Sequence, residues 1–233
     1  MAQVIDKNKI VVFTGAGVSA ESGLQTFRDS NGLWNDYPVS EVATPEAWER
    51  NPELVLNFYN ERRKNAAQAL PNKAHLAIAE LQNKFEVIVV TQNVDDLHER
   101  AGSKHVIHVH GELTKARSTV DSHLIYTIGA DKILMGSLCE KGSQLRPHIV
   151  WFGEAIEHYD IALHHIETAA RVLAIGSSLT VYPAAGLLFG VSAEAEKILV
   201  SLEVDQKPRG FKWIAGTAGE VVPGIIKTWM QAG

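Results

Sequence analysis

Four apolar runs end in polar or glycine-rich turns: 9–17 (KIVVFTGAG), 86–96 (EVIVVTQNVDD), 105–112 (HVIHVHGE) and 171–180 (RVLAIGSSLT). A fifth, 197–205 (KILVSLEVD), lies near the end. They are rich in Val, Ile and Leu, the pattern of strands buried on both faces. Helical patterns lie between them, at 45–70, 72–83, 156–168 and 182–195. Apolar strands interleaved with helices predict an α/β fold, a parallel sheet covered by helices on both faces. In such sheets ligands bind in the crevice beyond the carboxyl ends of the strands. The turns that carry candidate chemistry all lie at those ends.

Two segments break the strand–helix rhythm. Residues 27–70 hold Trp34, Trp48 and a long amphipathic helix, and residues 113–147 are polar and weakly patterned. The expectation is a single domain over 1–233, with a smaller lobe built from about 27–70 and 113–147 and a cleft between lobe and sheet. The window 172–191 has no charged residue and is long enough to cross a membrane. Gly176-Ser177-Ser178 and Pro183 cut it into a strand, a turn and a small-residue helix instead.

Composition adds constraints. The chain is 45% hydrophobic and 21% charged, with a net charge of −5, which is ordinary for a folded domain. It has no run of Lys or Arg, so no footprint for nucleic acid or a membrane surface is expected. The first ten residues carry charges where a signal peptide needs an apolar core. The one cysteine, Cys139, allows no intrachain disulfide and fits a reducing, cytoplasmic setting.

Gly15-Ala16-Gly17-Val18-Ser19-Ala20 matches G-x-G-x-x-G/A between a strand and a helix, the Rossmann-like turn for a pyrophosphate. The acid expected about 20 residues on, at the end of a second strand, is not placed there. The adenosine half of a dinucleotide must therefore be held differently. Gln92, Asn93 and Asp95 follow a strand end and could grip ribose hydroxyls or a carboxamide, or simply cap the next helix. His108 and His110 share a strand face in an alternating reading. A structural role, a metal pair and a general base compete there, and His110 is the better placed for a base. Gly176-Ser177-Ser178 offers a second small-residue turn, for the other half of a dinucleotide or as a helix entry.

The order and spacing of GAGVSAESGLQTFRDSNGLW, TQNVDDLHERAG, HVHGEL, RPHIVWFGEAI and GSSLTVYPAAG resemble a sirtuin, over roughly residues 10–225. The resemblance implies an NAD-dependent protein-lysine deacylase that consumes NAD and releases nicotinamide, O-acyl-ADP-ribose and free lysine. It implies His110 as the base and Gly15, Ala16, Gly17, Ala20, Phe27, Arg28, Gln92, Asn93 and Asp95 around NAD. Gly176, Ser177, Ser178, Ser201 and Ala218 would lie on the adenosine side. Ser201 stands where the family often has Asn, and serine reaches less far. Val150, Trp151 and Phe152 would line the acyl-lysine channel, with backbone groups pairing to an extended peptide. Partners are then acylated-lysine proteins.

Tyr59 and Arg62 are three apart on a predicted helix and share a face. A planar guanidinium and a phenol suit a carboxylate-ended acyl group, succinyl or malonyl, and Tyr-x-x-Arg resembles the deacylase-type (class III) sirtuins. Acetyl-lysine would leave the pair unused. An interfacial Tyr beside a solvated Arg is the plainer reading of the spacing. Sirtuins usually follow HGEL with two cysteine pairs for structural zinc. Here only Cys139 is present, and Asp121, His123 and Cys139 match no standard site, so no zinc is expected. Ile125, Tyr126, Ile133, Leu134 and Leu138 could form a small apolar core in its place. An ADP-ribosyltransferase and a non-enzymatic NAD sensor remain as alternatives.

Overall fold

A computed structural model describes residues 4–25, 33–34, 37–204 and 207–231. The first half runs β1 (Asp6–Thr14), two 3-10 turns, β2 (Leu33–Trp34), β3 (Tyr37–Pro38), α1 (Val39–Val42), α2 (Pro45–Arg50), α3 (Pro52–Gln68), α4 (Lys73–Glu80), β4 (Glu86–Thr91), α5 (Leu97–Arg100) and β5 (Val106–His108). The second half runs β6 (Gly111–Ser118), β7 (Ile125–Thr127), β8 (Leu145–Ile149), α6 (Tyr159–Thr168), β9 (Ala169–Ile175), a 3-10 stretch (Ala184–Gly190), β10 (Glu196–Ser201), β11 (Lys212–Ala215) and α7 (Ala218–Gln231).

Six parallel strands form the main sheet in the order β11-β10-β9-β1-β4-β5. The chain builds outward from β1 through β4 to β5, then returns to the other side of β1 as β9. The switch point of this Rossmann-like sheet therefore lies between β1 and β9, the place where sheets of this kind hold their ligands. Alternate residues of each strand face opposite layers. Ile10, Val12, Val87, Val89, Leu173 and Ile175 pack on α4 and α7. Val11, Phe13, Ile88, Val90, Val172 and Ala174 pack on α6 and the 184–190 stretch.

Several predicted elements take a different form. The helical pattern over 45–70 is two helices. Thr44 caps α2 by accepting the Ala47 N–H (3.1 Å) and Asn51 caps α3 by accepting the Leu54 N–H (3.1 Å), each with proline just inside. The helix expected behind Gly17 is two short 3-10 turns, Ala16–Val18 and Ala20–Ser22. The helix expected over 182–195 is the 3-10 stretch Ala184–Gly190. Among the described residues no helix is long and apolar enough to cross a membrane.

The run 105–112 is not one strand. β5 ends at His108, β6 begins at Gly111, and the two belong to different sheets. His110 sits in the turn between them, so it does not alternate with His108 on one strand face. Gly111 makes this crossing possible: its φ is +79°, and a Cβ there would lie 2.2 Å from the His148 carbonyl oxygen.

The weakly patterned segment 113–147 contributes to a three-stranded antiparallel sheet, β7-β6-β8. It packs on the 37–70 helices: Leu113, Ile149 and Trp151 join Val42, Ala47, Val55, Phe58 and Tyr59 in one cluster. Of the five apolar residues expected to replace zinc, Ile133 is buried, against Leu56 and Ala116, whereas Ile125, Leu134 and Leu138 are exposed. Polar staples from α3 hold the segment. Asn60 donates to the Ile133 carbonyl (2.9 Å) and accepts the Ile133 N–H (3.0 Å). Arg63 donates to the Leu113 carbonyl and to Asn60 Oδ1. Both side chains are buried, so removing either leaves the others unsatisfied at about 1–3 kcal/mol each. Among the described residues no group of three or more His, Cys, Asp or Glu comes together to hold a metal. Asp121 instead pairs with Lys141 (2.7 Å), and Cys139 is buried beside Ser118 and Ser143.

Candidate active site

The loops after β1 and β9 interlock at the switch point. Gly15 donates its N–H to the Ile175 carbonyl (3.0 Å) and Gly17 to that of Gly176 (2.8 Å). A Cβ on Gly176, whose φ is +61°, would lie 2.3 Å from the Val18 nitrogen. The glycines thus let two backbones touch, and two N–H groups expected to face a pyrophosphate are already bonded to the neighbouring loop. The loop after β4 joins the same junction. Gln92 donates its N–H to the Thr14 carbonyl (2.9 Å) and its side-chain amide to Ser177 Oγ (2.9 Å).

Behind this junction lies a buried polar triad that includes a residue not singled out from the sequence. Ser19, 1% exposed, donates to Asp95 Oδ2 (3.1 Å) and accepts from Asn93 Nδ2 (3.1 Å). Asp95 Oδ1 accepts the Leu97 N–H (3.2 Å), so one carboxylate holds the first N–H of α5 and Ser19 together. Burial pushes the Asp95 carboxyl above its ordinary range, against these hydrogen bonds. A single hydroxyl has no periodicity; the only sequence signal for Ser19 is its place two residues after Gly17.

The two histidines separate cleanly. His108 Nδ1 bonds the Asn93 carbonyl (2.9 Å) and Nε2 bonds Glu99 Oε1 (2.7 Å). Burial would lower its pKa, but the Glu99 hydrogen bond and charge outweigh it and raise it. Both ring nitrogens are occupied, which makes His108 structural. His110 Nδ1 bonds the Gln92 carbonyl (3.0 Å). A carbonyl only accepts, so Nδ1 carries the proton and the Nε2 lone pair is left to act as a base. Burial lowers the His110 pKa, partly opposed by that carbonyl.

Tyr59, Arg62 and Trp151 form a second group. Tyr59 is 1% exposed; its hydroxyl lies by the Trp151 indole, and neither group makes a well-formed hydrogen bond. Its pKa is pushed up to about 12 by burial, with the Arg62 charge acting in the opposite sense. Arg62 lies over the Phe58 ring (5.6 Å). Burial lowers it to about 10, still cationic at neutral pH, while Tyr59 and then Asp95 act to raise it. The Arg62–Asp95 coupling joins this group to the Ser19–Asn93–Asp95 triad.

Other predicted positions stand further from these groups. Ser201 is buried at the end of β10 with an unpartnered hydroxyl. Ser178 pairs with Thr180 (2.7 Å), Ala20 is exposed, and the Ala218 side chain belongs to the core with Val18 and Val222. Val150, Trp151 and Phe152 have all three N–H groups bonded within the chain, to the His110 carbonyl (3.0 Å), Glu154 Oε2 (2.8 Å) and the Ala43 carbonyl (3.0 Å). A peptide lying along them must use carbonyls instead. Phe27 and Arg28 lie outside the described residues.

Comparison with known proteins shows the family. A family model described as the Sir2 family matches residues 15–183. An NAD-dependent protein deacylase of Bacteroides thetaiotaomicron is 52% identical, over 85% of this chain and 86% of its own. One from Pasteurella multocida is 49% identical, over 95% and 98%. A Sir2 homologue solved as an NAD complex superposes with a TM-score of 0.86 at 40% identity, covering 97% of this chain and 91% of its own. A Sir2 protein bound to acetylated peptide gives 0.80 at 28% identity, covering 97% and 94%. With the glycine junction, the buried triad and the His110 turn all inside or beside the matched span, this chain belongs to the Sir2 family.

Proposed function

We propose that this chain is an NAD-dependent protein-lysine deacylase, one catalytic unit in which His110 is the base and Tyr59 with Arg62 receives acyl groups ending in a carboxylate. The deacylase relatives at about half identity support the activity. The observation that carries the acyl assignment is the Tyr59 hydroxyl, buried with no well-formed hydrogen bond between the Trp151 indole and the half-buried Arg62 cation. Such a hydroxyl costs about 1–3 kcal/mol until something bonds it, and a succinyl or malonyl carboxylate would accept from it while lying against the Arg62 charge.

The residues at the switch point fit NAD. The orphaned Ser201 hydroxyl suits the adenosine ribose, and the touching glycine turns leave a small-residue floor for the phosphates. Bound there, NAD would supply two things: an electrophilic ribose carbon, from which nicotinamide leaves as the acyl oxygen bonds, and a ribose hydroxyl that ends with the acyl group as one water frees the lysine amine. Asn93 and Asp95, locked by Ser19, orient the nicotinamide end. His110 Nε2 takes a proton from a ribose hydroxyl. Trp151 and its neighbours keep water from the acyl-lysine, so that two ligands meet in a dry, oriented site. The single buried thiol, Cys139, is compatible with a reducing cytoplasm.

The test incubates the chain with acetyl-, malonyl- and succinyl-lysine peptides, with and without NAD, and follows products by mass. The proposal predicts nicotinamide and O-acyl-ADP-ribose in step with free lysine, all requiring NAD. ADP-ribose attached to protein with the acyl-lysine intact, or deacylation without NAD, would contradict it.

A further inference from the structure

The loop after β8 wraps the turn that carries His110. Val150 donates its N–H to the His110 carbonyl (3.0 Å), and Glu157 donates its N–H to the Val109 carbonyl (3.1 Å). Both carbonyls of the turn are therefore held from opposite ends of one loop, 150–157.

That loop carries two carboxylates, and cations of the small sheet hold them. Glu154 accepts from Arg146 (2.7 and 3.0 Å), from Arg117 (3.2 Å) and from the Trp151 N–H (2.8 Å). Glu157 accepts from Arg117 (3.1 Å) and lies 3.2 Å from His148 Nε2. Arg146 also lies over the Trp151 ring, its guanidinium carbon 3.3 Å from the centroid. Among these cations only Arg117 bonds both carboxylates. Its side chain is 12% exposed, and it also reaches the Ile149 carbonyl (3.3 Å). Two guanidiniums face two carboxylates, so the cluster is charge-balanced and each buried charge has a partner. A planar fork with five donors can bridge two carboxylates in fixed geometry; a lysine ammonium cannot.

We propose that Arg117 is a positioning residue for the reaction: by bridging Glu154 and Glu157 it fixes loop 150–157, and through that loop's two backbone hydrogen bonds it fixes the turn that aims His110. The inference rests on the reading of His110 as the base. It gives the small sheet a part in the chemistry, since β6 runs from Gly111 directly to Arg117 and returns a cation to the turn it started from. A base displaced by a fraction of an ångström loses rate steeply, by about 10²-fold for 1 Å.

The test compares the full chain with Arg117→Lys and Arg117→Met variants. The first readout is the titration of the His110 imidazole by NMR, which needs neither NAD nor turnover. Burial holds this ring below its ordinary pKa, and a released turn hydrates it. His108 with Glu99 is bonded to itself and to Asn93, away from Arg117, and the two carboxylates that Arg117 leaves keep Arg146 and His148 as partners. The proposal predicts that the His110 titration moves up toward 6.5 in Arg117→Met, and part of the way in Arg117→Lys. The second readout is turnover of the best acyl-peptide: kcat falls by about 10–100-fold while KM for NAD stays within about threefold. If Arg117→Met does not fold, Arg117→Lys carries both readouts. An unchanged His110 titration overturns the proposal, whether kcat holds or falls together with NAD affinity as a loosened lobe would give. Wild-type chain that deacylates nothing overturns the functional reading instead, and the NMR comparison still decides the positioning role.

Discussion

His110→Ala lowers kcat by about 10²–10⁴-fold, the usual contribution of a positioned base, and leaves NAD binding within a few fold. The prediction follows from the tautomer. The Gln92 carbonyl holds the proton on Nδ1 and leaves Nε2 as the acceptor, so the ring acts through one atom in one orientation. His108 cannot substitute, because the Asn93 carbonyl and Glu99 occupy both of its nitrogens. The pH dependence carries a sign. A histidine base works as neutral imidazole, and burial lowers the His110 pKa from the ordinary 6.5. Activity in the wild-type chain therefore persists as pH falls below 6.5 before the acid limb sets in. Stopped turnover and equilibrium binding of NAD, measured across pH, check both parts. Near wild-type kcat in His110→Ala would remove the base assignment.

Arg62→Met lowers kcat/KM for succinyl- and malonyl-peptides by about 10²–10³-fold and leaves acetyl-peptides within about threefold. Methionine keeps the apolar stem against Phe58 and removes the charge, so the change reports the guanidinium rather than lost packing. The size follows from losing a charge-assisted contact in a buried pocket, about 3–4 kcal/mol with the Tyr59 hydroxyl left unsatisfied as well. Peptides differing only in the acyl group, assayed side by side, measure it. Equal losses for acetyl and succinyl would mean that Arg62 supports the fold or Asp95 and does not read the acyl end.

The parallel sheet was legible because its strands are unbroken apolar runs, and the glycine and amide turns at their ends were legible as a candidate site. β11 and α7 were not anticipated. α7 hides behind Pro223, which reads as a breaker, although Val222, Ile226 and Trp229 lie one helical face apart and are buried. The small sheet was hidden because its strands mix polar with apolar residues. The alternation of His108 and His110 misled for a physical reason: it assumes one strand, and Gly111 turns the chain into another sheet. Adjacent arginines show the same limit. Tyr59 and Arg62 could be paired by helical spacing, but Arg63, one step round the helix, staples Leu113 and Asn60, and nothing in the sequence distinguishes the two tasks. Charge pairs such as Arg117 with Glu154 and Glu157 are 37 and 40 residues apart, beyond the reach of any local pattern.

The measurement that bears most directly on this account is a crystal structure of the chain with NAD bound. The account predicts the cofactor across the β1–β9 switch point, with His110 Nε2 about 2.6–3.2 Å from a hydroxyl of the nicotinamide ribose. An imidazole turned into the protein interior, out of reach of that sugar, would contradict it.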